Sequence, residues 1–107
     1  MGDGDSCTLT DLFRLLGERH VPDVIHRVLQ EESVRFNAIQ DDLGMSPNTL
    51  SDRLKKLQAA GLVTRHAYQE IPPRVEYRAT QKARELDKVF DILGDWAGKH
   101  TLTPDPA

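Results

Sequence analysis

Leu9, Leu12, Phe13, Leu15 and Leu16 cluster within one stretch, "TLTDLFRLLG". That is more than one face of a helix, so the helix it predicts must bury more than one side. In a chain of only 107 residues the second side points to a second molecule. Thr8 and Asp11 have capping-box spacing, with Asp in place of the usual Glu, and Gly17 is a natural stop. "VPDVIHRVLQEE" predicts a second helix: Pro22 and Asp23 suit its first turn, and Val24, Ile25, Val28 and Leu29 form its stripe. "SVR" reads as an extended link or a short strand. In "RFNAIQDDLG", Phe36, Ile39 and Leu43 recur as one face of a short helix that Gly44 ends.

The next segment, "MSPNTLSDRLKKLQAAG", carries the clearest boundaries. Ser46 is an N-cap, Pro47 stands at the first helical position, and Gly61 follows the end. Leu50, Leu54 and Leu57 make its buried seam. The period then changes from helical to alternating. "LVTRHAY" and "RVEYRA" flank "QEIPP", which predicts a two-stranded hairpin with a five-residue loop. Val75, Tyr77 and Ala79 face the core in that reading, and Arg74, Glu76 and Arg78 face out. Thr80 caps a final helix of about 20 residues, roughly 30 Å long. Leu86, Val89, Phe90, Leu93, Trp96 and Ala97 form one stripe along it.

A short helix, a Gly-containing turn and a capped helix make a helix-turn-helix. A hairpin directly after the second helix adds a wing. The expected fold is mainly α with a small β-hairpin: a winged helix-turn-helix whose terminal helices form a dimer interface. Residues 1–7 are expected as an N-terminal arm and 8–100 as the domain. Within it lie the recognition helix at about 46–60, the wing at about 62–79 and the dimerisation helix at about 80–99. Residues 101–107 are expected as a flexible tail.

Composition changes this picture little. Apolar residues make up 38% and charged residues 29% of the chain, ordinary for a globular domain. No apolar run is long enough to span a bilayer, the start of the chain lacks the pattern of a signal peptide, and one cysteine cannot build a disulfide framework. These features predict a cytoplasmic protein. The four histidines lie far apart, so neither a metal site nor a cofactor is expected. No nucleophile–base pair or phosphate-cradling loop suggests an enzyme.

Charge distribution says more. The net charge is −3, which alone disfavours a nucleic-acid partner. Yet residues 46–82 hold seven basic and three acidic side chains, while residues 1–45 hold four basic and nine acidic ones. The positive charge falls on the recognition helix and wing. On that helix Asn48, Asp52, Lys55 and Lys56 lie opposite the leucine seam, with Thr49, Ser51 and Arg53 on the flanks. The N-terminal half of such a helix enters the major groove. Asn reads adenine, and Thr contacts a thymine methyl or an acceptor. Arg, Lys and the free N–H groups near Ser46 meet phosphates. Asp52 repels phosphate, but it suits a cytosine amino group or the orientation of Arg53 or Lys56. Pro72 and Pro73 stiffen the wing tip. Arg74, with Arg78 behind it, then either reaches a minor groove or phosphate or is held in cis by Glu70 and Glu76.

"SPNTLSDRLKKLQAAGLVTRHAYQEIPPRVEYRAT", with "RFNAIQDDLG" and Trp96, resembles the HxlR-type winged helix-turn-helix transcriptional regulators. The likeness runs from Cys7 to about Trp96. It implies a homodimer built from the first and last helices, here Leu9, Leu12, Phe13, Leu16, Leu86, Val89, Phe90, Leu93 and Trp96. It also implies two recognition helices set on a pseudo-palindromic double-stranded operator. Family members commonly sense oxidants, aldehydes or other electrophiles, some through an N-terminal cysteine, and Cys7 stands at that place. A helix N-terminus favours its thiolate, and Asp3, Asp5 and Asp11 oppose it; an inert cysteine is the other reading. The chain departs from the family at Glu18, Arg19 and His20, where Gly-Lys-Trp is usual. A winged-helix module that binds proteins and has lost DNA binding is the alternative function.

Overall fold

The computed structural model describes residues 2–100 and 102, and for residues 2–7 the backbone only. Five helices and three strands follow one another: α1 (Gly2–Leu16), α2 (Val21–Leu29), β1 (Val34–Arg35), α3 (Phe36–Leu43), α4 (Pro47–Ala59), β2 (Val63–Tyr68), β3 (Arg74–Ala79) and α5 (Gln81–Lys99). The chain is a winged helix-turn-helix, mainly helical with a small antiparallel sheet.

The sheet has three strands, not two. Its order is β1-β3-β2, so the hairpin gains an edge strand from the link before α3. Val34 pairs with Tyr77 and Arg35 with Glu76. In the hairpin Val63 stands opposite Ala79 and Tyr68 opposite Arg74, which leaves residues 69–73 as the loop. On β3 Tyr77 is buried and Arg78 exposed, but Arg74, Val75, Glu76 and Ala79 are all half-buried, so Arg74 and Glu76 do not face out as the alternation predicts.

α2 runs through the centre. Val21, Val24, Ile25 and Val28 are fully buried and pack with Ile39 of α3, Leu50, Leu54 and Leu57 of α4, and Tyr77 and Ala83. Each boundary of α4 has a local cause. Ser46 Oγ accepts from the N–H of Thr49 at 3.3 Å, satisfying an orphan donor of the first turn. Gly61 follows the C-cap with φ 75°, a conformation that glycine adopts without steric cost. Gly44 ends α3 in the same way, at φ 62°. Thr80 joins wing to α5: its hydroxyl donates to the carbonyl of Gly61 at 2.7 Å and accepts from the N–H of Ala83 at 3.2 Å.

The first helix corrects an expectation. It starts at Gly2, so Thr8 is not its cap and residues 2–7 are helical rather than an arm. No proline interrupts this stretch, and Asp3 and Asp5 fall near the helix start, where acidic residues suit the dipole. A cap signature does not start a helix that can propagate through it. Met1 and the expected tail at 101 and 103–107 lie outside the described residues.

Candidate nucleic-acid interface

On α4 the leucine seam faces the core and Asn48, Asp52 and Lys55 are exposed on the opposite side. Thr49, Ser51, Arg53 and Lys56 are half-buried on the flanks. Ser46 and Thr49 form a hydroxyl pair, with Ser46 Oγ donating to Thr49 Oγ1 at 2.9 Å. Thr49 thus belongs to the cap as well as to the outer face.

The three cations of α4 have different fates. Arg53 Nε donates to the carbonyl of Arg19 at 2.6 Å, and its Nη1 pairs with Asp52. Lys56 pairs with Glu18, and its Nζ lies 3.4 Å from Asp52. The hydrogen bond from Arg53, joined by one from Lys56, holds the Asp52 carboxyl below its ordinary range. The bond to Glu18 raises the Lys56 ammonium above its own. Asp52 is thus shared between Arg53 and Lys56. Lys55 projects outward without an ion pair among the described residues.

Between α4, the start of α3 and the wing lies a groove of about 870 Å³. Lys55 and Ser51 line it from α4, Arg35 and Asn37 from the β1–α3 junction, and Arg65 from β2, with Gln58 deeper along α4. Arg35, Asn37, Gln58 and Arg65 are absent from the sequence-based set. The signal for Arg35 is its place next to buried Val34 in a two-residue strand. That signal becomes readable only once β1 is known to pair with β3.

At the wing, Arg74 is held in cis. Its Nη2 lies 3.3 Å from Glu70 Oε1 and its Nε 3.0 Å from Glu76 Oε2. Its guanidinium carbon sits 4.2 Å from the centre of the Tyr68 ring, within cation–π range. Ser33 Oγ donates to Glu76 at 2.6 Å. That bond first, and the charge of Arg74 next, lowers the Glu76 pKa. Arg78 donates to the Tyr68 hydroxyl at 3.1 Å. What the tip presents is apolar: Ile71 is fully exposed, beside exposed Pro72 and Pro73.

The terminal helices carry a different surface. Leu9, Phe13, Val89, Leu93 and Trp96 are all 45% or more exposed, too apolar a set for an idle surface. Ile92, also exposed, lies off the expected stripe. Leu12, Leu16, Leu86 and Phe90 are half-buried. An apolar groove of about 740 Å³ runs between α1 and α5 past Leu9, Leu12, Leu86 and Val89. The Trp96 ring stacks on His100 at 4.5 Å. The Cys7 side chain lies outside the described residues. No described helix is long and apolar enough to cross a membrane.

Known proteins match this arrangement. The model of the HxlR-like helix-turn-helix family matches residues 15–104. An HTH-type transcriptional regulator of Synechocystis, sll1512, is 48% identical over 98 residues, 87% of this chain and 72% of that protein. YodB, an HTH-type transcriptional regulator of Bacillus subtilis, is 35% identical over 98 residues, 91% of this chain and 87% of its own. The structure of reduced YodB superposes with a TM-score of 0.81 at 30% identity, covering 92% of this chain and 96% of YodB. Quinone-bound YodB superposes at 0.75, covering 87% and 97% at 30% identity. The chain belongs to the HxlR-like helix-turn-helix family of transcriptional regulators.

Proposed function

We propose that this regulator binds double-stranded DNA in a sequence-specific way, as a homodimer on a pseudo-palindromic operator. The observation that carries the reading is the open groove between α4 and the wing, where Lys55, Arg35 and Arg65 converge. Asn48, Thr49 and Ser51 read base edges in the major groove. Lys55, Arg35 and Arg65 meet phosphates, and they fix the register of the protein on the duplex. The wing lays Ile71, Pro72 and Pro73 against the minor groove, where apolar side chains act as wedges. Arg74 stiffens that wing from within, and Arg78 lies behind it.

Dimerisation rests on the bare stripe of α5 and the exposed side of α1, Leu9 and Phe13 with Leu93 and Trp96 at its centre. Covering these side chains in a two-fold interface sets two recognition helices about one DNA turn apart, roughly 34 Å. Cys7 serves as a thiol sensor on α1, the helix that joins dimer interface to recognition helix. The support is the kinship with YodB, whose structures include quinone-bound and diamide-treated forms.

Selection of genomic fragments by the purified protein, with and without thiol oxidant, tests the whole reading. Recovery of a two-fold motif whose enrichment changes on oxidation is expected. Salt titration on the recovered duplex then counts the phosphate contacts, at a slope near −0.9 per contact. Absence of duplex binding even at low salt favours a protein-binding module instead.

A further inference from the structure

Two of the three cations on α4 are engaged by residues that are neither in the helix-turn-helix nor in the wing. Glu18 and Arg19 belong to the turn between α1 and α2, 38 and 34 positions before the side chains they hold. We propose that this turn is a charge latch on the recognition helix: Glu18 and the Arg19 carbonyl hold Lys56 and Arg53 off the duplex, and a shift of α1 that opens the turn releases them to the phosphate backbone. The proposal rests on the DNA-binding reading and names a regulation of that same site.

Charge accounting supports it. Glu18, Asp52, Arg53 and Lys56 sum to zero when closed, so the outer face of α4 offers the duplex only Lys55. Remove Glu18 from the cluster and one positive charge is left uncompensated. Three of the four groups are open to solvent: the side chains of Lys56, Glu18 and Asp52 are 39%, 33% and 50% exposed, against 18% for Arg53. Pairs this close to solvent are weakly held, and a phosphate can compete with a carboxylate for the same ammonium.

The turn is also the strained part of its connection. His20 sits in the left-handed region at φ 73°, as the N-cap of α2 and without a side-chain capping bond. A non-glycine residue stays there only while its surroundings fix it. Along the described part of α1, Leu12, Leu15 and Leu16 are half-buried, whereas Leu9 and Phe13 are bare. The N–H groups of Gly17 and Glu18 donate to the carbonyls of Phe13 and Leu15, so the turn is tied directly to the end of α1 and a shift of that helix reaches it.

The test is a double-mutant cycle read by salt dependence. A fluorescent duplex recovered from a random-sequence pool is titrated with the native chain, Glu18→Gln, Lys56→Met and the double variant across a salt series. Glu18→Ala, which also removes the acceptor, is a second variant, and thermal melts confirm folding. The latch predicts that Glu18→Gln binds several-fold tighter at low salt, with a slope steeper by about 0.9. Lys56→Met alone leaves the slope unchanged, and it abolishes the gain from Glu18→Gln. An equal gain in the Lys56→Met background means a general charge effect and overturns the latch, as does an unchanged slope in both Glu18 variants. A Lys56→Met slope reduced by one contact places Lys56 on phosphate already and overturns it too. If the native chain shows no salt-dependent duplex binding, the DNA-binding reading fails and the latch fails with it.

Discussion

α4 and α5 carry the same kind of apolar stripe, and the fold treats them in opposite ways. Leu50, Leu54 and Leu57 of α4 are completely buried, whereas on α5 Leu93 and Trp96 remain about half exposed and only Ala83 is buried. The spacing is helical in both. Periodicity tells which face must leave water; it does not tell what covers that face. For α4 the cover is α2 and the sheet. For α5 the fold supplies cover only near the wing, where Leu86 and Phe90 are half-buried, and a single chain leaves the remainder bare.

The comparison breaks most visibly through its buried member. Leu54→Ala leaves a cavity in a seam with no solvent access, so unfolding free energy should drop by about 2–5 kcal/mol. Chemical denaturation at several protein concentrations checks this, and the drop should not depend on concentration. Trp96→Ala should do the reverse. Its helical content and monomer fold should persist, while the dimer dissociation constant rises by roughly 30-fold, as for an interface anchor worth about 2 kcal/mol. Sedimentation at graded concentration reads it. A dissociation constant unchanged by Trp96→Ala would mean that the α5 stripe is covered by something other than its twin.

The same contrast explains how much is legible in the sequence. Every boundary of α4 has a local cause in Ser46, Pro47 and Gly61, so it can be read within a few residues. The hairpin, its five-residue loop and the capping role of Thr80 are local as well. What escapes local reading is long-range. β1 pairs with a strand some 40 residues later, shown by the contact from Ser33 to Glu76, and this brings Arg35 to the groove. Helical spacing places Arg53 on a flank and Lys56 opposite the seam, yet both are half-buried, because partners in a distant turn hold them. Arg74 shows the same limit in short compass: both carboxylates that clamp it are visible in "EIPPRVE", but only the hairpin geometry decides that they reach it.

On the exposed face of α4, two substitutions separate reading from anchoring. Asn48→Ala should cost about 1–3 kcal/mol on the selected operator and little on unrelated duplexes, relaxing preference at one base. Lys55→Ala should weaken binding to every duplex alike and flatten the salt slope by about 0.9. Competition titrations with specific and random duplexes distinguish the two patterns. If both variants lose affinity uniformly, Asn48 is a phosphate contact and the division of the α4 face is wrong.

The smallest expected effect concerns the wing, where charge rather than an apolar stripe does the joining. Glu76 links β3 to Ser33 on one side and to Arg74 on the other, and its side chain is only 16% exposed. The hydrogen bond from Ser33, with the charge of Arg74, places its folded pKa below the ordinary value. A carboxyl so depressed adds stability above the unfolded value of about 4.3. That stability is lost as pH falls from there through the folded pKa. Native chain and Glu76→Gln should therefore differ in melting temperature at neutral pH, with the native chain higher. The gap should narrow only below about pH 4.3, as the native carboxylate takes up its proton. Melting curves from neutral to acid pH read both slopes. A gap that stays constant across that range would assign the role of Glu76 to shape alone, and would leave Arg74 held by Glu70 and the face of Tyr68.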